Sequence, residues 1–118
     1  MLFRSLWGSG LTVVSSQTLT QGLLPNDVVT ASCADEHDLA SRRNGASRSI
    51  AFVNSSGTTR QVFWLDGFGR RVLYRTLESG QRHVQASSGG DVWVVTNGAG
   101  RCEGIYQAGD IPSRAVLK

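Results

Sequence analysis

From Ile50 to Tyr106 the chain reads IAFVNSSGTTRQVFWLDGFGRRVLYRTLESGQRHVQASSGGDVWVVTNGAGRCEGIY. Apolar residues recur there at alternate positions. Ile50 and Phe52 share one face of one segment, and Val62 and Trp64 share one face of another, which is the pattern of half-buried strands. Turn formers separate these segments: Ser55 to Thr59, Asp66-Gly67-Phe68-Gly69, Glu78-Ser79-Gly80, Ser88-Gly89-Gly90 and Asn97-Gly98-Ala99-Gly100. Their glycines adopt backbone angles that other residues avoid. The predicted strands are Arg48 to Val53, Gln61 to Leu65, Arg71 to Tyr74, His83 to Ser87, Asp91 to Thr96 and Arg101 to Gln107. Six or seven short strands with a turn about every ten residues predict an all-β protein, a small antiparallel β-sandwich.

Working outward, the segment ADEHDLASRRNGAS from Ala34 to Ser47 is polar and charged, with Asn44-Gly45 as a turn signal. Before it, residues 1–32 show neither a helical nor a strand period and read as a disordered or irregular tail. Arg4 precedes a charge-free stretch from Ser5 to Asn26, as a secretory signal would require. Gly8, Gly10, Ser15-Ser16 and Gln17 break up the apolar core that such a signal needs. The expected domain is therefore residues 33–118, with a core at 48–107, a size for one domain at most. No stretch approaches the roughly twenty apolar residues of a membrane span.

The net charge is +3 and the pI about 9.4. Arg70, Arg71, Arg75, Arg82 and Arg101 fall in or near turns, where charge keeps a β-protein soluble and blunts edge pairing. Nucleic-acid binding would call for a denser basic stripe interleaved with stacking aromatics, so no nucleic-acid partner is expected.

Catalysis finds little material. His37 and His83 lie in different segments, and neither accompanies a nucleophile motif such as G-x-S-x-G. In Asp35-Glu36-His37-Asp38, four consecutive residues cannot all face one ion in regular structure, and no zinc-type spacing accompanies them. Gly67-Phe68-Gly69 lacks the helix that follows a phosphate-binding turn. The expectation is a non-enzymatic protein with no metal and no cofactor.

Phe52-Val53-Asn54, Trp64-Leu65, Gly69, Tyr74, Thr76-Leu77, Gly80, Ser87, Gly90 and Trp93 carry a resemblance. In residue type and spacing this set resembles the β-domain of the von Hippel-Lindau family, without a gap from Asn54 to Trp93. The resemblance covers about half the chain. It implies a peptide-reading β-sandwich whose pocket seats a hydroxylated proline on aromatic faces, with a serine and a histidine bonding its hydroxyl. Trp64, Tyr74, Ser87 and Trp93 match residues that line that pocket. Two histidines of the family pattern are replaced, by Ala86 and by Asp91. An ionised carboxylate only accepts hydrogen bonds, whereas imidazole also donates. Asp91 would thus accept from a ligand hydroxyl, or pair with an ammonium or guanidinium beside Trp93 and Tyr74.

Short domains of this kind also carry a cysteine before an L-x-S segment and another in a G-R-C turn. Here these are Cys33, ahead of Leu39-Ala40-Ser41, and Cys102 in Gly100-Arg101-Cys102. The resemblance thus implies a Cys33–Cys102 disulfide; the other reading leaves two free thiols. If the bond forms, an oxidising compartment, secreted or periplasmic, is favoured. Gly109 to Lys118 is too short for the family's helical domain that docks to a ubiquitin-ligase adaptor, so the resemblance is not expected to extend to an adaptor role in ubiquitin ligation.

The expected function is a protein- or peptide-binding module that reads proline or hydroxyproline-like residues through Trp64, Tyr74, Ser87, Asp91 and Trp93. The competing expectation is a small secreted structural or accessory domain, stapled by a disulfide, whose aromatics only build the core. A binder of anionic surfaces through the arginines would instead lose affinity steeply with salt.

Overall fold

The computed structural model describes residues 28–118, so of the tail read into residues 1–32 all but the last five residues lie outside them. Eight strands occur among the described residues: β1 (Val29–Ala31), β2 (Ser47–Asn54), β3 (Arg60–Leu65), β4 (Arg71–Leu77), β5 (Arg82–Ser88), β6 (Trp93–Asn97), β7 (Cys102–Gln107) and β8 (Ser113–Leu117). A short 3₁₀ helix, Cys33–Asp38, links β1 to the segment before β2. Five strands form one sheet in the order β1-β7-β6-β3-β4, and three form the other in the order β5-β2-β8. Pairing is antiparallel except between β2 and β8, which run parallel.

Strand alternation builds the core. Ile50 and Phe52 of β2, with Ala115 and Leu117 of β8, pack against Val62, Leu77, Trp93 and Val95 of the larger sheet. Residues from both sheets are thus buried in one layer, as in a β-sandwich. The intervening residues of the larger sheet point the other way, and they too are covered. Leu65, Val92, Val94 and Ile105 form a second apolar cluster, packed against Cys33, Leu39, Phe63 and Cys102. This explains why β6 reads as a continuous apolar run: both of its faces are buried.

The cover on this second face is the segment that follows β1, and it is tied down at several points. Cys33 and Cys102 are joined by a disulfide. Glu36 accepts from both Nε and Nη2 of Arg71 at 2.7 Å, and Arg71 Nη1 also reaches the carbonyl of Gly100 at 2.7 Å. The guanidinium holds the Glu36 carboxyl below its ordinary range, partly opposed by burial. Farther along, Ser41 Oγ accepts from the backbone N–H of Val92 at 2.8 Å.

Two strands escape the sequence reading. Val29–Ala31, placed in the tail by that reading, pairs with Ile105 to Gln107, yet all three residues are exposed and leave no periodic signal. Ser113–Leu117 buries only Ser113, Ala115 and Leu117 on its inner face, so its small residues mask the alternation.

Candidate functional site

The four aromatic and hydroxyl residues suggested by the sequence come together with Asp91 at one end of the sandwich. Trp64 and Trp93 are direct partners on the adjacent strands β3 and β6, so their rings lie on the same face. Trp93 is fully buried, whereas Trp64 is half-buried. Tyr74 reaches them from β4 through a break in register, since Val62 pairs with Arg75 while Phe63 pairs with Leu73. Tyr74 is the extra residue of this bulge, and bulges re-aim side chains. Its ring meets Trp93 edge-on at 5.1 Å between centroids and lies tilted against Trp64 at 6.2 Å. It stays 45% exposed, which makes it the accessible lip of the cluster.

Ser87 and Asp91 flank the turn between β5 and β6. The turn closes through a backbone bond from the Asp91 N–H to the Ser88 carbonyl at 3.0 Å. Gly90 makes the turn possible twice over. Its φ is +88°, and a Cβ at that position would lie 2.0 Å from the Arg42 carbonyl oxygen. The segment before β2 docks in the space so left, with the Arg42 N–H on the Gly90 carbonyl at 2.9 Å and the Asn44 N–H on the Gly89 carbonyl at 3.0 Å.

That docking delivers Arg43, which the sequence reading does not single out. Its Nε donates to Asp91 Oδ1 at 2.9 Å, and its guanidinium lies 5.0 Å from the centre of the Trp64 ring. The indole N–H of Trp64 donates to the same Oδ1 at 3.0 Å. On the other oxygen, Oδ2, the Ser88 N–H donates at 2.8 Å and the Ser87 hydroxyl at 3.3 Å. Ser87 Oγ in turn accepts from the Trp93 indole N–H at 3.0 Å.

The carboxylate of Asp91 is fully buried and has four donors for its roughly four lone-pair positions. Burial pushes its pKa up. The Ser88 N–H, the Trp64 indole and the Arg43 guanidinium outweigh that push and hold the carboxyl below its ordinary range. The cation that Asp91 attracts is therefore supplied by the chain itself. What faces outward is the Tyr74 ring and the half-exposed Arg43, while Ser87 is half-buried beside them.

Among the described residues, no group of three or more His, Cys, Asp or Glu is placed to hold a metal ion, and no helix is long and apolar enough to cross a membrane. Within the Asp35-Glu36-His37-Asp38 run, Glu36 is engaged by Arg71, and His37 faces Asp38 at 3.6 Å on the exposed surface. No protein-family model matches the chain, and no curated protein matches it.

Proposed function

We propose that this protein is a non-enzymatic binding module that takes an extended peptide bearing a proline-type ring, in the manner of the von Hippel-Lindau β-domain that its sequence resembles. The observation that carries this reading is the exposed Tyr74 ring, set by a bulge against two tryptophans. A pyrrolidine ring is compact and apolar enough to pack on such a lip. The lip also stands where the sheets end: Tyr74 lies on β4 and Ser87 on β5, the outermost strands of their sheets on that side. Edge strands carry unpaired backbone groups to which an extended peptide can add.

The polar half of the site sets the ligand's chemistry. With Asp91 saturated by its own chain, a ligand hydroxyl is left only half-exposed or exposed partners, the second lone pair of Ser87 and the Tyr74 phenol. The module therefore accepts proline and 4-hydroxyproline with a small preference between them. A peptide array carrying proline, hydroxyproline or alanine at the central position, probed with the wild type and with Tyr74→Ala, tests this. Retained signal on alanine peptides, or an unchanged pattern with Tyr74→Ala, would refute it.

A second reading has its own support. The Cys33–Cys102 bond and the internal use of both indole N–H groups and of Asp91 are what a purely structural β-domain needs. On that reading the array stays blank, and Tyr74→Ala changes only stability.

A further inference from the structure

At the opposite end of β3 from Trp64, about 13 Å along the strand at 3.3 Å per residue, lies an arginine with no carboxylate partner among the described residues. Arg60 opens β3, opposite Leu77 on one side and Asn97 on the other, and it is only 9% exposed. Its Nη1 donates to the Thr58 hydroxyl and to the Thr59 carbonyl. Among the described residues, no carboxylate lies within 4 Å of it, and neither Nε nor Nη2 has a hydrogen-bond acceptor. A guanidinium cannot shed its proton in a protein, so burial cannot be relieved by neutralisation. Buried charges are otherwise paired or bound to an ion.

Arg60 forms part of the wall of a cleft of about 470 Å³ between the Thr58-Thr59 turn and the Asn97-Gly98 hairpin, with Glu103 also on its wall. The cleft is open to solvent, so a ligand there would be held by Arg60 rather than by enclosure. From this geometry we infer that the cleft binds a small organic monocarboxylate, held by Nε and Nη2 of Arg60, which have no acceptor among the described residues. Two adjacent N–H groups in one plane match the two oxygens of a carboxylate. The Glu103 carboxylate in the same cleft selects against more highly charged anions such as phosphate, because like charges repel at short range. The site is independent of the peptide-binding proposal, for it shares no residue with the Tyr74 cluster.

The test is a titration of the full chain, labelled with ¹⁵N, with butyrate, acetate and inorganic phosphate at constant ionic strength, following the Arg60 Nε–H resonance. Butyrate is expected to move that resonance saturably and phosphate more weakly. Glu103→Gln should tighten phosphate binding by about threefold or more without loss of thermal stability. In Arg60→Met the backbone amide resonances of Thr59, Asn97 and Gly98, which butyrate should shift in the wild type, should stay unmoved, and the wild-type titration decides the matter if this variant does not fold. An Arg60 resonance unmoved by every anion would overturn the inference, leaving water as the occupant. So would a loss of stability in Glu103→Gln, which would mean that Glu103 itself neutralises Arg60.

Discussion

The indole N–H of Trp64 ends on the buried Oδ1 of Asp91, 3.0 Å away. Through this bond a core aromatic and the turn after β5 become one unit, to which Arg43, Ser87 and Trp93 are also tied. Residues that the sequence suggests as separate ligand contacts are thus mechanically coupled. Asp91 holds Trp64, Arg43 and Ser87 in place through these bonds.

Replacing Asp91 with Asn places an amide where four donors converge and removes the charge facing Arg43. Breaking a buried, hydrogen-bonded carboxylate in this way is expected to cost about 2–3 kcal/mol. Urea unfolding at neutral pH measures it.

The same group predicts an acid response. Asp91, Glu36 and Asp66 all have carboxyl pKa values lowered by their partners. A lowered folded pKa gives stability that is complete above the unfolded value, about 4 for carboxyls. It is lost as the pH falls through the folded value. Stability of the wild type should therefore hold from neutrality to about pH 5 and drop below it, with a shallower drop in Asp91→Asn. Unfolding midpoints across that range provide the comparison.

Gly90→Ala should be far more damaging than Gly67→Ala. Gly90 combines a φ of +88° with an approach of 2.0 Å between a built Cβ and the Arg42 carbonyl, while a Cβ at Gly67 meets nothing within 4 Å. A loss of about 2 kcal/mol or more is expected at Gly90, against about 0.5 or less at Gly67. Because Arg42 would be displaced, the Arg43–Trp64 stack should also loosen, visible as a change in tryptophan emission.

The disulfide closes a sequence separation of 69 residues. In the chain-entropy account, a loop of that length contributes about 4 kcal/mol. Denaturation of the oxidised protein against the Cys33→Ser/Cys102→Ser variant should differ by that order. The loss should be felt first in the 3₁₀ segment that covers Leu65, Val94 and Ile105.

Much of this architecture is legible in the sequence, for a physical reason. Ser47–Asn54 buries the alternate residues Ile50, Phe52 and Asn54, Arg60–Leu65 begins the same way with Arg60 and Val62, and alternation survives in the order of amino acids. The Ser88-Gly89-Gly90 turn announces itself through its glycines. Arg43 does not announce itself, because it lies 48 positions before Asp91 in a segment without a period. Only the fold brings the two together. The bulge at Tyr74 is equally silent, since one extra residue in a strand of exposed side chains leaves no mark on the pattern.

The most direct test of the central claim is a calorimetric titration of the oxidised protein with peptides that differ only in a central proline, 4-hydroxyproline or alanine, repeated with Tyr74→Ala. The account predicts saturable binding of both proline forms within about tenfold of each other, a difference of at most about 1.4 kcal/mol. It also predicts no binding of the alanine peptide, and loss of binding in Tyr74→Ala at unchanged thermal stability. Absence of binding to either proline form, or equal affinity in Tyr74→Ala, would contradict it and leave the aromatic cluster as part of the core alone.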